Sequence, residues 1–364
     1  MTLKTDRKVE NRRRGNAERS AADNAYSFMS KPRSADNAIN TASARPDHST
    51  AAIRLAGKAV FRQTDAMNTA PRKARPLDHL VLPTADLGIA RQRLESLGFI
   101  VAPRGVHPFG TINECVYIAD GTFLEPLAIG HRETAEEASV KGNAFTARDA
   151  AHRFRRGPEG FSAIVVGSDD AKADHQRFVE AGLSGGGLLD FGRDFLTPAG
   201  DAARMDFRLA FAADLRSPDF FGFTCQRINV PKADRSKLFA HQNGVVSIRS
   251  VILTEPNPTD FQYLLQELLN EREVEAHSFG MDISATNSKI SVLTHDGYEM
   301  MFGIRLLGKE RGLRARAVVF GAKDMDVVKH RLDEAGIPWR ESMGRILVDP
   351  APGQGALFAF EEIK

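Results

Sequence analysis

The chain has little cysteine and no long hydrophobic run. Only Cys115 and Cys225 occur among its 364 residues, too few for a disulfide framework or a cysteine metal cluster. The N-terminus is basic, and no apolar stretch follows it, so the sequence indicates no secretory signal. No apolar run approaches the length of about 18 residues that a membrane-spanning helix needs. These absences predict a cytoplasmic protein with no membrane partner.

Familiar catalytic signatures are also missing. The sequence contains no HExxH, CxxC or GKS/T pattern, which argues against zincin and P-loop chemistry. The apolar content of 42% and the charged content of 26% are enough for two ordinary domains with hydrophobic cores.

The charges are distributed unevenly along the chain. Residues 1–75 hold 16 Lys and Arg against 7 Asp and Glu, whereas the rest holds 33 basic against 40 acidic side chains. Binding to nucleic-acid phosphates needs clustered basic residues. We therefore predict no nucleic-acid partner for the body of the chain.

Residues 1–75 are rich in Ala, Asn, Ser, Arg and Asp and show no sustained apolar period. Such a segment buries too little surface to offset its ordering entropy, so we predict a disordered extension. Met67, shortly before the first strong strand, is a candidate alternative start. A transit peptide and a basic nucleic-acid-binding arm are the other interpretations.

A pattern of about 23 residues recurs beyond residue 75, and a repeat of this kind defines the fold. Each copy holds a short apolar strand, a polar turn with Asp or Asn that can cap a helix, and then the helix itself. The copies are Leu77–Phe99, Phe161–Leu183, Ala315–Ile337 and, more loosely, Ile248–Asn270.

Short segments with strand-like character follow each helix. They are Glu114–Ala119, Phe123–Ile129, Met205–Phe211, Phe220–Cys225, Ile290–Leu293, Tyr298–Ile304, Arg345–Val348 and Ala356–Phe360. The sequence thus predicts an α+β fold of four βαβββ modules. Because one module leaves a sheet face bare, the modules should pair into a domain at 76–228 and another at 245–364, joined by a linker at 229–244.

This organisation resembles the vicinal oxygen chelate (VOC) superfamily, which contains glyoxalases, extradiol dioxygenases and bleomycin-resistance proteins. The segments LDHLVLPTADL, RGVHPFGTINECVYI and GTFLEPLAI are similar to the glyoxalase-like domain family in particular. The resemblance covers about 290 residues and is strongest over Leu77–Ile129.

The resemblance implies a metal in a cup-shaped sheet. By position, His79 on the first strand and Glu125 on the last strand of the first module match the family's metal ligands, and imidazole and carboxylate suit Mn, Fe, Zn, Ni or Co. Strand alternation places Glu125 on the same face as Phe123 and Leu127, so its carboxylate needs a partner inside an apolar cup. A histidine satisfied within the core is the other interpretation of His79.

The remaining modules depart from the family pattern. Ala163 stands at the position of His79 in the second module, and Phe220–Cys225 offers no carboxylate. Ser250 and Ala317 occupy the matching positions further on, and only Glu299 resembles a last-strand carboxylate there. We therefore expect the second domain to be a degenerate copy.

The segment around His107 suggests additional site residues. His107-Pro108-Phe109-Gly110 recurs 170 residues later as His277-Ser278-Phe279-Gly280. The resemblance places this segment at the mouth of the cup, with Arg104, His107, Thr111 and Asn113 as substrate-binding candidates and His107 and Glu125 as catalytic candidates. His107 is a candidate third ligand, acid–base group or hydrogen-bonding partner, and a simple Pro-Gly turn is the alternative.

These observations predict a glyoxalase-like protein that binds a small molecule in its cup. With a divalent metal it would be a lyase, an isomerase or a dioxygenase, acting as a monomer or a homodimer. The alternative is a metal-free protein that sequesters its ligand, as bleomycin-resistance proteins do. A third interpretation is a scaffold whose cup is filled by its own Phe and Leu side chains.

Overall fold

The structure, a computed structural model, describes residues 73–196, 202–230, 234, 236–308 and 310–363. The predicted disordered extension lies outside these residues except for its last three positions, and the candidate start at Met67 lies outside them as well. No helix in the described ranges is long and apolar enough to cross a bilayer.

The strands of the described residues form two curved sheets, here called the first sheet and the second sheet. The first sheet contains β1 (Leu77–Pro83), β2 (Gly105–Val106), β3 (Thr111–Asn113), β4 (Val116–Tyr117), β5 (Phe123–Ile129), β6 (Ala163–Gly167), β7 (Leu189–Leu196), β8 (Ala202–Ala212) and β9 (Phe221–Ile228). Its strand order is β2-β3-β5-β1-β6-β9-β8-β7, and β4 pairs with β5.

The second sheet repeats this plan. It contains β10 (Val245–Thr254), β11 (Glu275–His277), β12 (Gly280–Ser284), β13 (Lys289–Leu293), β14 (Arg314–Ala322), β15 (Arg340–Ser342), β16 (Arg345–Val348) and β17 (Leu357–Glu362). The order β11-β12-β13-β10-β14-β17-β16-β15 matches that of the first sheet.

The helices of the described residues connect these strands. They are α1 (Leu87–Ser96), α2 (Arg132–Val140), α3 (Ala144–Arg156), α4 (Ala171–Glu180), α5 (Gln262–Leu269), α6 (His295–Phe302) and α7 (Met325–Glu334), with short 3-10 turns at Ser236–Leu238 and Pro258–Phe261. In each module the first strand pairs in parallel with the last. Two parallel strands need a long crossover connection between them, which here contains the module's helix. The predicted α+β fold of four βαβββ modules is confirmed.

Aspartates begin three of the crossover helices, as the turn pattern predicts. The side chains of Asp86, Asp170 and Asp324 accept hydrogen bonds from backbone N–H groups in the first turns of α1, α4 and α7. These bonds satisfy amides that the helix itself leaves unpaired. In the third module Asn257 makes no such bond, and a 3-10 turn precedes α5.

The predicted strand at Tyr298–Ile304 is wrong, because this segment lies mostly in helix α6. The Thr294 side chain accepts from the N–H of Gly297, and Gly303 ends the helix in the left-handed conformation. Tyr298 and Phe302, four residues apart, pack their rings together on the buried side. An i, i+4 apolar pair within a short segment resembles strand alternation, which explains the error.

The helix-bearing faces of the two sheets share one hydrophobic core. Leu94 and Phe178 from the first sheet's helices belong to the same buried cluster as Leu264 and Leu332 from the second sheet's helices. The opposite faces carry separate clusters around Phe223 in the first sheet and around Tyr298 and neighbouring residues in the second. The division into domains 76–228 and 245–364 stays a prediction.

The end of the predicted linker is bound to the first sheet's module. His241 accepts a hydrogen bond from the N–H of Ile100 at its Nδ1 and lies 2.9 Å from the carbonyl oxygen of Tyr117 at its Nε2. Asn243 donates to the carbonyl of Leu97 at 2.8 Å. Residues 241–244 are therefore a structural connection between the two sheets as well as a turn.

Candidate functional site

A narrow cavity of about 50 Å³ opens on the face of the first sheet that carries no crossover helix. Aromatic side chains form most of its wall, and the polar groups are few. Its lining includes His79, His107, Asn113, Glu125, Arg193, Cys225 and Arg227 together with Phe109, Phe123, Phe145, Phe191, Phe207 and Phe223. We call this the first cavity.

His79 is held in place by its neighbour in the chain. Its Nδ1 lies 2.5 Å from Oδ1 of Asp78, and Arg227 contacts both oxygens of the same carboxylate at 2.6 Å. Adjacent strand residues normally face opposite ways, but the pairing of β1 with β6 shifts register between Leu77 and His79. Such a bulge can re-aim side chains locally, and here Asp78 reaches His79.

Glu125 lies between two imidazoles. Its Oε2 is 3.5 Å from Nε2 of His79, and its Oε1 is 3.8 Å from Nε2 of His107. Asn113 donates to Oε1 at 2.6 Å. Strand pairing explains this position, because β5 runs beside β1 with Phe123 opposite His79, and Glu125 follows two residues later on the same face.

His107 is oriented by the turn that the sequence singled out. Its Nδ1 is hydrogen-bonded to Oγ1 of Thr111 at 2.9 Å, and its ring stacks on Phe109 with the centroids 5.0 Å apart. These contacts leave Nε2 directed at Glu125. Pro108 and Gly110 do form a turn, and this turn positions the imidazole.

The charges of these groups depend on one another. Burial alone would lower the pKa of His79, but the contacts with Asp78 and Glu125 outweigh it and raise that pKa. Burial alone would raise the pKa of Glu125, but His79, His107 and Asn113 hold it below its ordinary value. Burial lowers the pKa of His107 to about 4, so this imidazole is neutral near pH 7.

Two predicted residues lie outside the cavity lining. Arg104 is about half exposed and binds Glu114 with its Nε at 3.0 Å. Thr111 is fully buried behind His107. The structure thus brings His79, His107, Asn113 and Glu125 together and leaves Arg104 away from the site.

Asp78, Arg193 and Arg227 also surround the site, although the sequence alone did not predict them. Asp78 belongs to the quoted motif, next to His79, so its position in the chain offered a signal. Arg193 and Arg227 come from β7 and β9 of the second module, and no local pattern links them to His79. Cys225 is buried in the cavity wall, and burial raises the pKa of its thiol, which disfavours a nucleophilic thiolate.

Comparisons with known proteins agree with this architecture. A family model described as a glyoxalase-like domain matches residues 77–269, more than half of the chain. The chain belongs to the glyoxalase-like domain family. This family is part of the VOC superfamily, so the resemblance seen in the sequence is confirmed.

Solved structures with the same fold share little sequence with this glyoxalase-like chain. A hypothetical protein from Staphylococcus aureus is 15% identical with a TM-score of 0.53, and the match covers 79% of this chain and 99% of that one. A mutant of 4-hydroxymandelate synthase from Streptomyces coelicolor is 12% identical with a TM-score of 0.51, covering 80% and 93%. At such identities these matches show the fold alone. No curated protein matches the chain.

The second glyoxalase-like module provides no polar partner at the matched positions. Ala163 pairs with Phe221 as His79 pairs with Phe123, so Phe223 stands where Glu125 stands in the first module. Phe223 lines the cavity and contacts the ring of His79 edge-on at 5.7 Å. In the third module Glu299 lies on α6, so the predicted last-strand carboxylate is wrong. His277 is on edge strand β11 with its side chain about one-third exposed.

The donor types at Glu125 fit a divalent cation. Within the described ranges, no three or more His, Cys, Asp or Glu side chains already surround a metal-sized point. Two imidazole nitrogens nevertheless lie 3.5 and 3.8 Å from the carboxylate oxygens, close to the spacing of roughly 3 to 3.5 Å between ligands that are each about 2.1 Å from one metal. A carboxylate on the far nitrogen, as Asp78 is on His79, is typical of metal-binding histidines.

Proposed function

We propose that the first cavity binds a small molecule together with a divalent cation, and that the chain is a lyase, an isomerase or a dioxygenase of the VOC type. His79 and Glu125 would hold the cation, with His107 as a third donor. The observation that carries the proposal is the convergence of two Nε2 atoms on one buried carboxylate. Each of these imidazoles is fixed through its other nitrogen.

A bound divalent cation would supply Lewis acidity toward ligand oxygens. The chain's own residues would perform the remaining tasks. Asn113 fixes Oε1 of Glu125, so the carboxylate stays oriented toward His79. His107 is neutral near pH 7 because burial lowers its pKa, and a neutral imidazole can bind a cation or accept a proton. The phenylalanine wall excludes water, which strengthens electrostatic interactions inside.

Arg193 indicates the chemistry of the small molecule. Within the described residues its guanidinium makes no hydrogen bond or ion pair, and it lies 5.6 Å from the ring centroid of Phe207. Gly105 leaves room for it, because a Cβ there would lie 2.5 Å from an Arg193 Nη atom. An unpaired guanidinium beside an apolar wall favours a ligand with an anionic oxygen and an apolar body.

The size of the cavity limits the ligand. A volume of about 50 Å³ accommodates only a few water-sized groups. A larger ligand would require Phe191 or Phe207, which lie on strands β7 and β8 toward the sheet edge, to move aside. We therefore propose a small ligand.

Metal-free sequestration is the second candidate function. The observation that favours it is the pair Ala163 and Phe223, which leaves the second module without a donor at the matched positions. In that case the contacts among Arg227, Asp78, His79 and Glu125 would serve as a buried ionic network that shapes the cavity. The ligand would bind to Arg193 and the aromatic wall without a cation.

We also propose that the protein functions as a monomer. Both modules that form the first sheet belong to one chain, so the cavity needs no second copy to close it. Sedimentation analysis should give the mass of one chain, and a homodimer is the alternative that the same measurement would reveal.

Metal analysis separates the two candidate functions. Elemental analysis of the purified protein should find about one Mn, Fe, Zn, Ni or Co per chain. His79→Ala and Glu125→Ala should each abolish metal uptake, whereas Glu299→Ala, which removes a carboxylate from α6, should not. A wild-type protein that takes up no divalent ion after incubation with each metal would refute the metal-dependent function and support sequestration.

A further inference from the structure

A second and larger cavity lies at the second sheet, away from His79 and Glu125. Its volume is about 500 Å³, within the range of cavities that hold small molecules and cofactors. It lies at the start of β14, where the chain segment after α6, strand β15 and the turn before β17 meet. The residues that matter here are Tyr298, Arg316, Arg340 and Asp349.

Tyr298 brings an unpaired hydroxyl group to this cavity. Its side chain is 2% exposed, and its ring packs on Phe302 with the centroids 4.9 Å apart. Within the described residues the hydroxyl makes no hydrogen bond, although buried tyrosines usually find a partner. Burial raises the pKa of Tyr298 to about 12, while the charges of Arg316 and Arg340 act in the opposite direction. The group is therefore a neutral donor close to two guanidinium groups.

Arg316 is an arginine without a carboxylate partner. Its Nε donates to Oγ1 of Thr254 at 3.2 Å, and its terminal nitrogens have no partner among the described residues. Two positions earlier, Arg314 is paired with buried Asp219 at 2.6 Å and with Glu310. Since most partly buried arginines of the described chain are paired in this way, the unpaired group at Arg316 indicates a missing anion.

Arg340 contributes a second guanidinium group, and a nearby carboxylate offsets part of its positive charge. One of its Nη atoms lies 3.3 Å from Oδ1 of Asp349, an exposed carboxylate that also lines the cavity. Gly303 admits this side chain, because a Cβ there would lie 3.2 Å from an Nη atom of Arg340. With two guanidinium groups against one carboxylate, the cavity keeps a net positive charge, and Tyr298 adds a neutral donor.

We propose that the second cavity binds a small molecule through an oxyanion group, a carboxylate or a phosphate, held by Arg316, Tyr298 and Arg340. Planar guanidinium groups match the oxygens of both kinds of anion. The remaining wall, which includes Ile304, Leu306, Ala315 and Pro350, would contact the body of the ligand. This site does not depend on the function proposed for the first cavity. The second sheet would thus be a binding module although it lacks the metal-ligand positions.

Calorimetric titration of the full chain tests this site. The probes are inorganic phosphate and pyrophosphate on one side and succinate on the other, with glycerol as a neutral comparison, at low salt. We expect one oxyanion per chain at the second cavity, bound more weakly as salt is added. An anion held at Arg193 in the first cavity should appear as a separate binding event. Which probe binds tighter identifies the phosphate or the carboxylate as the anion.

Variants locate the bound anion. Arg316→Gln should weaken binding by about tenfold or more, because a charge-assisted hydrogen bond is lost. Tyr298→Phe, which keeps the ring in the core, should weaken it by about two- to tenfold. Arg249→Gln removes an exposed arginine elsewhere on the second sheet and should have no effect. Arg193→Gln, in the first cavity, should remove only the binding event that belongs to that cavity.

Melting temperatures of all variants show whether each one is folded. The proposal is overturned if no oxyanion binds the wild-type protein, or if Arg316→Gln and Tyr298→Phe both bind as the wild type does. Loss of all oxyanion binding in Arg193→Gln alone would also overturn it, because the anion would then occupy the first cavity.

Discussion

Nδ1 of His79 lies 2.5 Å from Oδ1 of Asp78, the preceding residue in the chain. This contact fixes the rotation of the imidazole and points its Nε2 at Glu125. Arg227 in turn binds both oxygens of Asp78, so a side chain from β9 of the second module supports a histidine of the first. The second module, which has Ala163 and Phe223 where the first module has His79 and Glu125, takes part in orienting the site.

Asp78→Asn tests whether the carboxylate of Asp78 orients the imidazole of His79. An amide keeps the shape of the carboxylate but loses its charge, so His79 should be less well oriented and less basic. We expect the affinity for a divalent cation to fall by about 10- to 100-fold. Competition with a fluorescent chelator measures this change. Asp86→Asn, at the exposed start of α1, is the control, and equal affinities in the two variants would contradict the role of Asp78.

Gly105→Ala tests the space beside the cavity. A methyl group at this position would lie 2.4 Å from Oδ1 of Asn113 and 2.5 Å from an Nη atom of Arg193, closer than van der Waals contact allows, so both side chains must move. We expect binding of a small anionic ligand such as acetate to weaken, with a smaller loss for its neutral analogue acetamide.

The comparison for this variant is Gly187→Ala, where an added methyl group meets nothing within 4 Å. Ligand-observed NMR with the two probes gives the binding, and the melting temperature reports folding. If Gly105→Ala binds acetate as tightly as Gly187→Ala does, Arg193 does not hold the anion.

Phe99→Ala tests the shared core. Phe99 follows α1 in the first module, and its ring centroid is 5.2 Å from that of Phe320 in the second sheet. Removing a buried phenylalanine leaves a cavity, so the free energy of unfolding should fall by about 3–5 kcal/mol. Phe154→Ala, at a side chain that is 91% exposed, should change it by less than about 1 kcal/mol.

Denaturation of the wild-type protein and of Phe99→Ala also tests whether the two predicted domains unfold together. Because the core is common to both sheets, far-ultraviolet circular dichroism and the fluorescence of Trp339, in the second sheet's last module, should report coincident transitions. Separate transitions, with Phe99→Ala affecting only one of them, would show domains that fold independently.

His241 predicts a pH dependence of stability. Its Nδ1 accepts a hydrogen bond from the N–H of Ile100, which a protonated ring cannot do, and burial lowers its pKa in the folded chain. The unfolded chain therefore binds a proton near pH 6.5 while the folded chain does not. Stability should be fully present above about pH 6.5 and should decrease as the pH falls below it.

Urea denaturation at about pH 7.5 and about pH 5.5 measures this effect. The wild-type protein should lose stability between these values, and His241→Gln, which has no titrating group there, should lose up to about 1 kcal/mol less. His107 and His152, whose pKa values burial also lowers, keep part of the slope in both proteins. Equal losses of stability in the wild-type protein and in His241→Gln would show that the ring of His241 does not control the pH dependence.

Strand alternation predicted correctly which side chains of β5 share a face. Phe123, Glu125 and Leu127 lie two residues apart on one strand, so their common face follows from backbone geometry alone. The recurrence of His107 at His277 likewise follows from the repeat, and both residues stand just before the third strand of their modules. The burial of one and the exposure of the other does not follow, since it depends on what the opposite module places above the sheet.

The amino-acid sequence by itself determined the four modules, their α+β character and the shared face of Phe123, Glu125 and Leu127, because each of these depends on local periodicity. The tertiary structure decided which distant groups meet there. Arg193 and Arg227 reach the first cavity because β6 pairs with β1 and brings β7 to β9 alongside it. Tyr298 reaches the second cavity because α6 is a helix. Such meetings depend on long-range pairing, which the period of a single strand or helix does not encode.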